Sequence, residues 1–279
     1  MTYSELWRRL AAVCGEGEAR AVVRYVLEER FGLSPADVYS GKVTQLSADD
    51  RHCLEEIMER LTRSEPVQYV LGQAEFCGRR FAVGPGVLIP RPETEDLCRW
   101  VCADAAARGG GATDVLDIGT GSGCIAVTLA LGIGGARVAA WDVSADALAE
   151  ARANAASLGA AVDFRLTDAL RPPRDVAAWD IIVSNPPYVC DSERDAMDSN
   201  VLDYEPPQAL FVPDADPLRF YRAIGRYAAT ALRPGGTLYF EINPMFAQRF
   251  DGLARDCGLG AAEVRPDRFG RQRLVKVKR

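Results

Sequence analysis

The chain has 279 residues, 48% of them hydrophobic and 26% charged, which is enough apolar material for one large domain and a small one. Its formal charge of −6 argues against strong sequence-independent binding to DNA or RNA, because such binding needs Lys and Arg to displace phosphate counterions. The single histidine, His52 in the run Asp49-Asp50-Arg51-His52, removes most schemes that use histidine as a base or metal ligand.

The opening "MTYSELWRRL" is amphipathic and carries Arg8 and Arg9 where a signal peptide would be apolar. No apolar run approaches the roughly 18 residues of a spanning helix, so no membrane role is expected. The closest cysteines, Cys98 and Cys102, have helical spacing and no second pair to complete a metal site. The expectation is a soluble cytoplasmic protein with reduced thiols and no metal.

Residues 3 to 64 show helical periodicity. Leu6, Leu10 and Val13 share one face, as do Ala21, Val22, Tyr25 and Val26, then Leu54, Ile57, Met58 and Leu61. Gly32, Ser34-Pro35 and Gly41 mark the breaks of this small helical bundle. Residues 66–89 are rich in Val, Phe and Gly and predict a short β-hairpin. Gly109-Gly110-Gly111-Ala112 reads as a short flexible loop.

Strands and helices then alternate. Strands are predicted at Asp114–Ile118, Arg137–Asp142, Val162–Leu166, Asp180–Val183 and Thr237–Ile242. Helices are predicted at Cys124–Leu131, Ala145–Leu158 with Ser144 as N-cap, Pro217–Leu232 and residues 245–257. Pro234-Gly235-Gly236 reads as a turn, and "RLVKVKR" ends the chain as an edge strand. This alternation implies an α/β fold with a doubly wound, mostly parallel sheet.

Val115-Leu116-Asp117-Ile118-Gly119-Thr120-Gly121-Ser122-Gly123 follows a strand and opens a helix. Its glycines let the backbone turn sharply and approach a ligand. Asp142, roughly 20 residues on, ends the next strand, where a carboxylate can accept from ribose hydroxyls. The spacing is G-x-G-x-G, without the dinucleotide pattern or a Walker lysine. Asp117, read as facing the mouth of the loop, would repel a pyrophosphate and favour an ammonium. S-adenosylmethionine, with an amino group, a sulfonium and no phosphate, fits best.

The fourth strand delivers Asn185-Pro186-Pro187-Tyr188 to the carboxyl edge of the sheet. Pro187 holds Pro186 out of the helical region and so fixes the direction of its carbonyl. The Asn185 side-chain oxygen adds a second acceptor. Two rigid acceptors can bind both hydrogens of a planar –NH2 group, with the Tyr188 ring as a stacking face. Such an arrangement serves a poor nitrogen nucleophile by positioning and pre-set dipoles.

With "NPPY" the sequence resembles class I S-adenosylmethionine-dependent methyltransferases, whose fold is Rossmann-like. "EPVQYVLGQAEF", "VLIPRPETE" (Val87 to Glu95), "VLDIGTGSG", "VSNPPYV" and Glu205-Pro206-Pro207-Gln208-Ala209-Leu210 narrow the resemblance to the peptide chain release factor glutamine methyltransferase family. It implies methylation of the glutamine in the Gly-Gly-Gln motif of bacterial class I peptide chain release factors, a translation-termination step. It also implies three parts: a helical substrate-docking domain at 1–74, a hairpin linker at 75–89 and a methyltransferase domain at 90–279.

By the same resemblance, Gly119, Thr120, Gly121, Ser122, Gly123 and Asp142 hold the cofactor. Asp168 and Ala169 lie near the adenine, and Asn185 touches both cofactor and substrate. Pro186, Pro187 and Tyr188 shape the glutamine pocket, while Arg91, Glu93 and Glu95 line its entrance. Glu241-Ile242-Asn243 departs from the glycine expected after Glu-Ile. The alternative is methylation of exocyclic amines in DNA or RNA, which would call for a basic recognition region. A non-enzymatic cofactor sensor would be expected to carry a damaged glycine loop or "NPPY", and both are intact. A monomer is expected.

Overall fold

A computed structural model describes residues 1–109 and 112–279, so Gly110 and Gly111 of the predicted loop lie outside the described residues. The chain forms two compact units. Met1–Gln73 with Met197–Tyr204 make the first, and Ala74–Ala196 with Glu205–Arg279 the second.

In the first unit, α1 (Tyr3–Cys14) begins at a capping box of Thr2 and Glu5, and α2 (Glu16–Phe31) ends on left-handed Gly32. After α3 (Pro35–Tyr39) and α4 (Ala48–Thr62) comes α5 (Val67–Leu71). Leu6 and Leu10 share one buried cluster with Leu54, Ile57, Met58 and Leu61, so these residues of the two predicted faces point inward. The α2 face differs from the prediction. Ala19, Val23, Val26 and Leu27 are buried, whereas Ala21 is exposed and Val22 and Tyr25 are only half-buried. Apolar residues occur on more than one face of α2, so packing against its neighbours chose the face and periodicity alone did not. Val13, in the last turn of α1, is exposed.

The predicted hairpin is shorter than expected. Residues 67–71 are helical, entered from Pro66 and stopped by left-handed Gly72. Only β1 (Gln73–Phe76) and β2 (Arg79–Ala82) pair as strands.

The second unit continues with α6 (Pro92–Ala107), β3 (Thr113–Ile118), α7 (Cys124–Gly132), β4 (Ala136–Asp142), α8 (Ala145–Leu158), β5 (Val162–Leu166) and β6 (Trp179–Ser184). A small pair, β7 (Val189–Cys190) and β8 (Phe211–Val212), flanks α9 (Ser199–Tyr204), which belongs to the first unit, and α10 (Pro207–Leu210). Then come α11 (Arg219–Ala231), β9 (Leu232–Glu241), α12 (Phe250–Asp256), β10 (Ala262–Pro266) and β11 (Gln272–Lys278). The predicted Pro234-Gly235-Gly236 turn lies within β9, and residues 244–249 form a 3-10 turn ahead of α12.

The main sheet runs β10-β11-β9-β6-β3-β4-β5, parallel except for β10 and β11. The predicted edge strand is therefore interior, since β11 pairs on both sides and β10 is the edge. Alternating residues of the central strands face opposite layers. Val115, Ile181 and Val183 pack under α6, α7 and α8, while Leu116 and Ile182 pack under α11 and α12.

The order of strands reverses at β3. The chain winds outward from it through β4 and β5, then returns to build β6 and β9 on its other side. Open α/β sheets bind ligands at such a reversal, beyond the carboxyl ends of the strands. Ile118 and Ser184, the last residues of β3 and β6, are register partners there. The Ser184 hydroxyl donates to the Ile118 carbonyl at 2.6 Å. The glycine loop and the Asn-Pro-Pro segment thus leave the sheet side by side.

Candidate active site

A cleft opens above that reversal, with Gly119, Gly121 and Asp142 on one wall and Asn185, Pro186 and Pro187 on another. Its charged lining residues are Asp142 and Asp168, and among the described residues no Lys, Arg or His lines it.

The loop wall is built largely from main chain. Gly119 and Thr120 N–H both donate to the Trp141 carbonyl at 2.9 Å, which ties the loop to β4. Asp142 receives the Gly121 N–H on Oδ2 and the Ser144 N–H on Oδ1, each at 2.9 Å. A carboxylate has more lone pairs than these two bonds occupy. Gly119 and Gly121 have positive φ, and a Cβ on either would meet nothing within 4 Å. They give the ligand bare backbone. Gly123 serves packing instead. A Cβ there would stand 3.1 Å from the Ala151 Cβ, so this glycine lets α7 approach α8.

Asp117 corrects the sequence reading. It is fully buried and does not line the cleft. Its Oδ2 accepts from the Thr120 hydroxyl at 2.7 Å and from the Ala126 N–H at 3.2 Å. Gly123, the N-cap of α7, has no side chain to cap the helix, so a carboxylate from the preceding strand does it. Burial, and secondarily the charge of Asp142, push the Asp117 carboxyl up to about 7 against those two bonds. Thr120 and Ser122 are buried and also lie off the lining, whereas Asp168 and Ala169 are part of it.

The facing wall depends on side chains. The half-buried Asn185 lines the cleft, and its Nδ2 donates to the Thr94 hydroxyl at 3.3 Å. Thr94 donates to Glu241 Oε2 at 2.6 Å. The Tyr188 hydroxyl donates to Glu241 Oε1 at 3.0 Å and accepts from Arg273 Nη1 at 3.0 Å. Burial raises the Glu241 carboxyl above its usual range, while Thr94, Tyr188 and Arg273 act to lower it. Tyr188 is off the lining, its ring packed on the α11 side of the sheet. Asn243, where glycine was expected, binds the Tyr188 carbonyl at 3.2 Å and Glu193 at 2.8 Å, fixing that edge by side-chain bonds.

The predicted entrance residues work one step back from the cleft. Arg91 pairs with buried Glu205 at 2.5 Å, and Glu205 also receives the Ile89 N–H. The pair pins two stretches that supply lining, Gly86 to Leu88 and Pro206 to Ala209. Glu93 lies where its charge acts on Glu241 and Tyr188. Glu95 departs from the expectation. It accepts from the Cys77 N–H and pairs with Arg99 and Arg268, which holds the hairpin turn and keeps it off the cleft.

Thr94, Glu205, Glu241 and Arg273 were missed as site residues. The one available signal was that all four sit within segments already singled out, Arg273 at the head of the terminal "RLVKVKR".

Comparison with known proteins agrees with this architecture. The PrmC N-terminal domain family matches residues 5–72, and the Methyltransferase small domain family matches residues 106–203. A release factor glutamine methyltransferase of Bacteroides thetaiotaomicron is 46% identical over 94% of this chain and 93% of its own length. A protein of the same name from Flavobacterium psychrophilum is 37% identical over 96% of this chain and 94% of its own length. Among solved structures, a T. thermophilus 16S rRNA methyltransferase shares the fold, with a TM-score of 0.55 at 19% identity over 74% of this chain and 49% of that one. Identity of this extent over nearly the whole length places the chain in the release factor glutamine methyltransferase family.

Proposed function

We propose that the protein transfers a methyl group from S-adenosylmethionine to the side-chain amide nitrogen of the Gly-Gly-Gln glutamine of bacterial class I release factors, in the cytoplasm, ahead of translation termination. The observation that carries this reading is the pairing of Ile118 with Ser184, which brings the glycine loop and Asn185-Pro186 to one cleft.

The lining suits the donor. Bare backbone at Gly119 and Gly121 accommodates a closely approaching ligand, and Asp142 has lone pairs left for hydroxyl donors. Two carboxylates without a basic side chain favour a cationic ligand over a phosphate-bearing one. When bound, S-adenosylmethionine supplies a methyl carbon activated by its sulfonium.

The chain's own residues address the amide. Asn185 Oδ1 and the Pro186 carbonyl accept no hydrogen bond from the described residues, and both residues line the cleft, which leaves these two acceptors for the N–H bonds of a glutamine. Holding both hydrogens while the nitrogen turns tetrahedral favours release of its lone pair from the amide π system. The nitrogen bonds the methyl carbon as the sulfur–carbon bond breaks, and it gives up one proton to water. Among the described residues no histidine, lysine or cysteine lines the cleft, so positioning carries the rate. The helical unit is assigned to docking of the release factor.

Incubating the protein with methyl-labelled S-adenosylmethionine and either a release factor or DNA and RNA tests this assignment. Label on the release-factor glutamine is expected. Label confined to nucleic acid would overturn the reading.

A further inference from the structure

Asn185 can serve as an acceptor only if its amide is turned one way, because the opposite rotamer presents an NH2 group and repels the substrate's N–H bonds. The direction follows from the donors and acceptors behind the cleft wall. Arg273 is buried, permanently charged and can only donate. Its Nε is committed to Asp267 at 3.0 Å and its Nη1 to the Tyr188 hydroxyl at 3.0 Å. Tyr188 therefore accepts from Arg273 and gives its own proton to Glu241 Oε1. Glu241 Oε2 takes the only proton of the Thr94 hydroxyl. Thr94 has nothing left to donate, so its contact with Asn185 must be filled by an N–H of the amide.

We propose that Glu241 and Thr94 are positioning residues that set the direction of the Asn185 amide, leaving its oxygen as the arm available to the substrate. The inference rests on the reading of Asn185 as an acceptor. It gives Tyr188 a further role, because a hydroxyl bound on both sides acts as a link in this relay. The groups facing Glu241 are Tyr188, Arg273, Glu93 and the Tyr221 hydroxyl, which donates to its main-chain carbonyl at 3.1 Å. Arg273 is the only cation among them, and it orders the chain.

The relay makes Glu241→Gln informative, since the volume is kept and the direction is lost. With the amide oxygen on Tyr188, the new NH2 donates to Thr94, and the Thr94 proton becomes free to pull the Asn185 oxygen away from the substrate. Steady-state kinetics on the full-length protein with a release factor would compare Thr94→Val, Thr94→Ser, Glu241→Gln, the Thr94→Val/Glu241→Gln pair and Asn185→Ala. S-adenosylmethionine affinity would be measured by calorimetry on each.

Thr94→Val and Glu241→Gln are each expected to lower kcat about tenfold, the scale of one hydrogen bond, with cofactor affinity unchanged. Thr94→Ser, which keeps the hydroxyl, should remain near wild type. The pair should be no slower than the worse single variant, because both remove one device. A wild-type kcat in Glu241→Gln, or Thr94→Ser as slow as Thr94→Val, would overturn the relay while an inactive Asn185→Ala leaves the acceptor reading standing. Near-normal turnover in Asn185→Ala would instead remove that reading. Glu241→Gln still decides the matter should Thr94→Val fail to fold.

Discussion

The two walls of the cleft solve the same problem with different materials. The donor wall is mostly backbone: two N–H groups on one carbonyl, two more on one carboxylate, and glycines exposing the chain between them. The acceptor wall presents Asn185, which is held from behind by a file of side chains from distant positions, namely Thr94, Glu241, Tyr188 and Arg273. A backbone wall tolerates sequence change wherever φ and a small side chain are respected. A side-chain file fails at any link, because each member takes its orientation from the next.

The sharpest break in that comparison is expected at Asn185. On the proposed reading Asn185→Ala removes an acceptor for the reacting nitrogen, and losses for comparable preorganised groups are about 10²–10³-fold in kcat. Cofactor affinity should fall far less, which calorimetry would show. Turnover within a fewfold of wild type would mean that the Pro186 carbonyl alone suffices.

The donor wall should respond in the opposite parameter. Asp142→Ala removes the carboxylate that braces Gly121 and Ser144 and is open to ligand hydroxyls. Losing charge-assisted bonds of about 1.5–3 kcal/mol weakens cofactor binding by roughly 10- to 100-fold, with kcat at saturation largely kept. Unchanged affinity would reassign Asp142 to bracing the loop alone.

The same contrast explains what could be read before the fold was seen. Glycine loop, terminal acid and Asn-Pro-Pro are contiguous, and local stereochemistry fixes what they do, so those segments were legible. Residues 188, 241 and 273 meet because β6, β9 and β11 are neighbours in the sheet, and Thr94 joins them from the first turn of α6; spacing along the chain carries no trace of either. Asp117 was misplaced for a related reason. Its position before the glycines was plain, but strand alternation turns it toward α7 and gives the cleft to Ile118. The edge strand was misjudged because β10 alternates apolar and charged residues for only four positions before Pro266, too short a run to stand out from a loop.

A smaller effect is expected where the walls are pinned from behind. Arg91→Ala leaves buried Glu205 with the Ile89 N–H as its one remaining partner among the described residues. Arg91 is one-third exposed, so water compensates in part, and about 1–3 kcal/mol of stability should be lost. Denaturant unfolding reads this directly, and Glu205→Gln should restore part of the loss in the Arg91→Ala background. No recovery would mean that the uncompensated charge is not the cause.

The donor wall has one titratable group buried within it, and that group should leave the smallest but most specific trace. The Asp117 carboxyl is pushed up to about 7 from 3.8, chiefly by burial. Its folded pKa lies above the unfolded one, so its contribution to stability is full below about pH 4 and is lost as pH rises through about 7. Carboxylates held low by arginines or lysine, such as Asp96, Asp104 and Asp114, change stability in the opposite sense over the acid range. Those groups are common to wild type and Asp117→Asn and cancel in the difference between them. The amide introduced by Asp117→Asn cannot ionise, and its carbonyl still accepts from Ala126. The Tm advantage of Asp117→Asn over wild type should therefore grow by a few degrees between about pH 5 and about pH 8. A difference that stays flat across that range would mean that Asp117 is already ionised at pH 5, and that its bonds to Thr120 and Ala126 outweigh the burial that opposes them.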